Sequence, residues 1–214
     1  MNEPYFRKIL HPELKNPLLI VGLPSFGDIG RTVARLLIDT TEAKLFTELY
    51  SPSFPDYVIV DGNGICRPPK YEFYYSSIGE RTPIILTGDS YPSIDDLKAY
   101  YVLCDEILNF VEMYGCRFII TIGGTPMPSS ERGVYVAASS PKLASEVVKR
   151  GASIYRGGRI VDTSGFMLGL AKNRGWMGIC LLGATIGLGT DKDAAFLVFR
   201  LLTRILKEDL GTNI

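Results

Sequence analysis

Residues 18–39, LLIVGLPSFGDIGRTVARLLID, read as a buried strand, a glycine-bearing turn and an amphipathic helix. Leu18, Leu19, Ile20 and Val21 form an apolar run without alternation, the pattern of a strand covered on both faces in a parallel sheet. Gly22 and Pro24 end it. With Asp28 as N-cap, Ile29, Val33, Leu36 and Leu37 fall on one helical face, and Arg31, Arg35 and Asp39 on the other. Reversing the chain in so few residues requires Gly22, Gly27 or both to take a positive φ or to lie hard against the helix.

Such a turn joins the carboxyl end of a strand to the amino end of a helix, where free N–H groups and the helix dipole favour ligands. Two phosphate motifs fail there. A P-loop needs Lys and then Ser or Thr after its second glycine, whereas Gly27 is followed by Asp28 and Ile29. The dinucleotide fingerprint comes closer: residues 25–30 lack only its first glycine, and Glu48 lies at a tolerable distance for a ribose. Asp28 at the helix start would, however, repel a pyrophosphate. The plainer alternative is a tight turn whose glycines allow close helix–strand packing.

With 214 residues, 46% of them hydrophobic and 21% charged, the chain has enough apolar material for one ordinary α/β domain spanning residues 1–214. Lysine plus arginine equals aspartate plus glutamate at 23 each, so no overall field favours nucleic acid or an anionic membrane surface. Cys66, Cys104, Cys116 and Cys180 show neither a CxxC pair nor metal-ligand spacing and read as buried free thiols; no metal or cofactor is expected. His11, the single histidine, lies in a polar stretch with no evident partner. The first ten residues lack the apolar core of a signal peptide and no apolar run reaches membrane-spanning length, so a cytoplasmic location is expected.

The rest of the chain repeats the opening pattern. Residues 1–16 read as an edge strand or arm, and Lys44–Tyr50 as a strand with one more polar face. Residues 57–60, 64–67 and 71–76 are short β-prone runs separated by Asp-Gly-Asn and Pro-Pro, which predicts a β-hairpin insertion over 57–76. PIILT at 83–87 is another buried strand. Ser93 with Asp96 approximates a capping box for a long helix with a core stripe at Leu97, Tyr101, Cys104, Leu108 and Val111. Arg117–Ile122 is a strand ending at Gly123-Gly124-Thr125-Pro126; Val134–Ala138 is a strand; residues 141–150 form a helix stopped by Gly151. Arg159–Asp162 leads through Thr163-Ser164-Gly165 into a helix. Met177–Leu182 is the last buried strand, and Asp191 caps a terminal helix whose apolar sector is broad enough to suggest contact on two sides, one of them with another subunit.

Three stretches, NPLLIVGLPSFGDIGRTVARLLID, CRFIITIGGTP and TSGFMLGLAKNRGWMGICLLGATIG with its DKDAAFLVFRLLTRIL continuation, together resemble the proteasome assembly chaperone two family, in its archaeal or prokaryotic form. The resemblance runs from Asn16 to about Leu206. It implies a phosphorylase/hydrolase-like fold of three α/β/α layers with a mixed, mainly parallel sheet, and it implies work through protein–protein contacts without catalytic turnover. The partners it implies are proteasome α subunits or a second family member. Its members often dock through a C-terminal hydrophobic-Tyr-any tail; this sequence has Thr212-Asn213-Ile214 instead.

If the sheet is mainly parallel, the strand-end loops converge on one rim. The candidate ligand rim is then Ser25, Gly27, Asp28, Asp89, Ser90, Gly123, Gly124, Thr125, Gly183 and Thr185. Backbone N–H groups at 123–124 and 183–184 would receive a phosphate or carboxylate, and Asp28 or Asp89 would orient a hydroxyl or ammonium. No nucleophile there has a histidine within reach in the sequence, so no catalytic set is assigned. The alternative function is a small-molecule-binding or hydrolase-like protein using this rim. Tyr71, Phe73, Tyr74 and Tyr75 on the insertion, and Phe196 and Phe199 on the terminal helix, are candidate protein contacts of a homo-oligomer; packing within the domain explains the insertion's aromatics equally well.

Overall fold

The computed structural model describes residues 3–78, 80–91, 97–156, 158–187 and 189–208. Its strands are β1 (Tyr5–Lys8), β2 (Leu19–Val21), β3 (Lys44–Tyr50), β4 (Ile59–Val60), β5 (Cys66–Arg67), β6 (Tyr71–Tyr75), β7 (Ile84–Gly88), β8 (Phe118–Pro126), β9 (Val134–Ala138), β10 (Ser153–Ile154) and β11 (Met177–Thr185). The helices are α1 (Ile29–Thr41), α2 (Leu97–Glu112), α3 (Pro141–Lys149), α4 (Thr163–Asn173) and α5 (Lys192–Glu208).

Nine strands form one mixed sheet in the order β1-β3-β6-β7-β2-β8-β11-β9-β10. Its centre, β7-β2-β8-β11, is parallel throughout, and β6 and β9 pair antiparallel on either side of it. Helices cover both faces, because both faces of the central strands are apolar. Ile20, Ile120 and Leu181 point into a core closed by α1, α3 and α5, through residues such as Val33, Val147 and Val198. Leu19, Ile119 and Leu182 point the other way, against α2 and α4, through Leu103, Leu108 and Met167. This is the three-layer α/β/α architecture expected.

The opening unit forms as read, with one change of roles. Gly27 has φ +66°, in the left-handed region, and Gly22 lies so close to Gly30 and Ala34 that a Cβ there would collide with both. Asp28 occupies the N-cap position but accepts no cap hydrogen bond; the Ser25 hydroxyl takes the Gly30 N–H at 2.8 Å. Asp28 pairs instead with Arg31 at 2.7 Å.

Several boundaries differ from the sequence reading. The hairpin is confined to β4 and β5, while Tyr71–Tyr75 joins the main sheet between β3 and β7. Tyr71 and Phe73 are therefore fully buried, Phe73 among Phe6, Phe46 and Phe110, and offer no contact surface; Tyr74 and Tyr75 are half-buried. Strands β8 and β11 run three to four residues past their expected ends, through Pro126 and Thr185. On α2, Leu97 and Tyr101 are exposed, and the core stripe is Leu103, Cys104, Ile107, Leu108 and Val111. The Ser93–Asp96 capping box lies outside the described residues. Asp162, at the end of the lead-in, is the N-cap of α4. Cys104, Cys116 and Cys180 are buried as expected, but Cys66 is exposed.

Candidate functional site

The carboxyl ends of the four parallel strands open into a cleft of about 1680 Å³. In doubly wound sheets this is the edge at which ligands bind. One side is built by the segment after β3 (Phe54–Tyr57), another by Tyr91 and the start of α2 (Leu97, Tyr100), and the far wall by Tyr155 and the chain entering α4 (Ile160–Thr163, Phe166). Phe166 holds this corner together: its ring stacks on Tyr100 at 5.0 Å and meets Tyr101 edge-on at 4.4 Å. The lip is unusually apolar, with Val161 89% exposed and Leu97, Tyr57 and Tyr91 also open to solvent.

The ten residues of the expected rim divide between lining and framework. Asp89, Ser90, Gly124 and Thr125 line the cleft. Asp89 is bound to Arg67 by two hydrogen bonds, at 2.6 and 3.0 Å, and accepts a third from the Lys70 amide. Burial raises its carboxyl, but these donors and the Arg67 and Lys70 charges outweigh it, and the net effect holds Asp89 below the usual carboxylate range. Asp28 borders the cleft only through its partner Arg31. Ser25 caps α1, and Gly27 packs on Thr185. The Thr185 hydroxyl donates to Asp191 at 2.7 Å, while Asp191 accepts the Ala194 amide and so caps α5.

Gly123, Gly124 and Gly183 do not form an anion nest. They lie inside the β8–β11 ladder, where Gly183 pairs with Gly124, and the next amide, that of Ala184, donates to the Gly133 carbonyl. Gly123 instead leaves room for Asp162 and Ser164, Gly124 for the Phe26 carbonyl, and Gly183 for the Ile29 side chain.

The sequence reading missed Asp162 as a site residue. One oxygen, Oδ1, accepts from the Ser164 amide, the Ser164 hydroxyl and the Gly165 amide. The other, Oδ2, is buried beside Gly123 with no partner, and burial pushes this carboxyl above its ordinary value despite the Ser164 and Gly165 hydrogen bonds. Its field reaches Tyr91 and Tyr100, whose phenols burial raises first and Asp162 raises further, Tyr91 to about 12. The Asp-Thr-Ser-Gly run was a readable helix-start signal; its position on the wall of the same cleft as Tyr100 was not. His11 is exposed and, among the described residues, neither it nor any cysteine or lysine lines the cleft. Among the described residues no group of His, Cys, Asp or Glu is arranged to hold a metal ion, and no helix is long and apolar enough to cross a membrane.

On α5, Ala194, Ala195, Val198, Leu201, Leu202 and Ile205 face the core, while Phe196 (53% exposed) and Leu197 face outward. Phe199 is half-buried, its ring 6.5 Å from that of Phe196.

This α/β/α fold recurs in solved structures of known proteins. The PAC2 family model matches residues 19–213, and the chain belongs to that family. It is similar to the Pyrococcus furiosus protein PbaB, an archaeal proteasome activator, with 34% identity and a TM-score of 0.90 over 96% of this chain and 90% of that one. Pyrococcus furiosus PbaA, an archaeal homolog of proteasome-assembly chaperone, shares the fold at a TM-score of 0.77 and 24% identity, over 99% of this chain and 87% of that one. An uncharacterized protein of Methanocaldococcus jannaschii is 36% identical over 186 residues, 85% of this chain and 70% of its own length.

Proposed function

We propose that this protein works on the proteasome in the cytoplasm, as an assembly factor or activator that acts by binding and not by turnover. The observation that carries the reading is the end-to-end likeness to PbaB. Fold alone does not settle function, but here the likeness in fold comes with 34% sequence identity over 96% of this chain and 90% of the other. The exposed Phe196 and Leu197 support self-association through α5, because an open aromatic beside an aliphatic is the composition of an interface core. The partners are a second copy of the chain and proteasome α subunits or another family member; neither nucleic acid nor membrane enters the reading.

The test has two readouts. Light scattering at micromolar concentration should give a mass above the 23.6 kDa of one chain, and immobilised protein should retain proteasome α subunits from a purified mixture. A monomer that retains none of them would end the proposal. Phe196→Asp should lower the mass while the chain keeps its folded circular dichroism spectrum, because Phe196 is exposed on the single chain and contributes little to its core.

A further inference from the structure

We propose that the β4–β5 hairpin is a flap that closes across the cleft, swinging on the Arg67–Asp89 pair and laying its inner side on the far apolar lip. The proposal is independent of the proteasome reading, and either can fail without the other.

The hairpin stands off the body of the protein. Ten of the twelve residues 55–66 are exposed, and among the described residues this stretch makes no hydrogen bond, ion pair or ring contact with anything outside 51–70. Its bonds are internal. The Asp61 carboxylate accepts the Asn63 and Ile65 amides, and the Asp61 amide donates to the Ile65 carbonyl, so the tip is a preformed unit. Two ties hold the base: the Phe54 ring lies on Tyr71 at 4.6 Å, and Arg67 binds both oxygens of Asp89. A segment with so few buried contacts sits at the low end of the range of local opening free energies. Its internal bonds let it move as one piece about the Arg67–Asp89 tie.

Apolar side chains are exposed on both sides of the gap. Tyr57 lines the cleft, and strand alternation puts Ile65 on the same side of the hairpin as Arg67, the side turned to the cleft edge; both are exposed. Val58 and Val60 fall on the opposite side. Beyond the cleft, Val161 and Leu97 are open to solvent. Closure takes Tyr57, Ile65 and the far lip out of water together, which is the driving force for the motion.

The hairpin is long enough to span the gap. Asp89 follows β7, and Asp162 stands beside Gly123 of β8, two strand spacings along the sheet, or about 10 Å. The five steps of extended chain from Arg67 to Gly62 cover about 17 Å. The tip can therefore reach Val161, next to Asp162, while the base stays on Asp89.

The test is a disulfide trap in the whole protein. With Cys66→Ser removing the native exposed thiol, Asn63→Cys on the tip is paired with Val161→Cys on the far lip, or with Val148→Cys on α3 as the control. All these side chains are exposed, so the fold tolerates the changes. In a glutathione buffer, where glutathione disulfide is reduced as the two thiols are oxidised, the lip pair should close at least about tenfold faster than the control pair. Only product with the mass of one chain is counted, which sets aside links between copies. Ile65→Ser should slow closure several-fold, whereas Val60→Ser, on the outer side, should leave it unchanged. Closure of the lip pair no faster than the control, or equal effects of Ile65→Ser and Val60→Ser, would each overturn the proposal.

Discussion

Arg67, on the outer hairpin, holds Asp89 at the end of β7 with both terminal nitrogens, at 2.6 and 3.0 Å, across 22 residues of sequence. The pair fastens the β4–β5 excursion to the cleft edge. Asp89 is mostly buried and Arg67 about a third exposed, so solvent screening reduces the gain, and Asp89→Asn should cost about 1–2 kcal/mol at neutral pH. Because the folded-state value of Asp89 is lowered, its contribution is present above the ordinary aspartate value and is lost as pH falls through the lowered one. Denaturant midpoints of the two proteins should therefore differ at pH 6 and converge toward pH 3; a constant gap would contradict the assignment.

Gly22 marks the tightest approach of a strand end to α1. Adding one methyl there drives it into the Gly30 carbonyl and Ala34, neither of which can step aside without moving the helix. Gly22→Ala should lower stability by about 1–3 kcal/mol, read as a shift of the urea midpoint at unchanged slope.

Two aspartates at helix starts should behave differently. Asp191 accepts the Ala194 amide and the Thr185 hydroxyl, so Asp191→Ala should cost about 1–2 kcal/mol. Asp28 sits at φ +51° and makes only its partly exposed pair with Arg31. Asp28→Asn, which tolerates that backbone, should change stability by less than about 1 kcal/mol. Equal losses at the two sites would mean that Ser25 is not the working cap of α1.

Thiol chemistry should separate the cysteines. Burial pushes Cys104, Cys116 and Cys180 up to about 12, whereas Cys66 is on the surface of the hairpin. A disulfide reagent at pH 8 should titrate one thiol in the native protein and four after denaturation. Cys66→Ser should abolish the native reaction.

The central strands were legible because coverage on both faces leaves an uninterrupted apolar run, as in residues 18–21 and 83–87. Their ends were not. Gly123-Gly124 and Gly183 carry turn chemistry in the sequence, yet here small residues serve a paired ladder that must admit Phe26, Ile29 and Asp162 at close range. Pro68-Pro69 likewise disguised Tyr71–Tyr75 as part of an outer hairpin, when the prolines only precede a strand whose Tyr71 and Phe73 fill the α2 side of the core. Asp89 and Ser90 could be placed at the cleft from the strand that precedes them. Asp162, Tyr100 and Phe166 belong to helix starts brought together by packing across 60 residues, and no local pattern records that.

The two outermost strands limit how copies of this chain can meet. β1 is four residues long and carries Arg7 and Lys8; β10 has two residues. Short, charged borders are poor templates for main-chain pairing, so the sheet does not lend itself to being continued from one molecule into the next. Growth of any multi-chain assembly then falls to side chains on helices and loops, where substitutions can retune partner choice without touching a single ladder hydrogen bond.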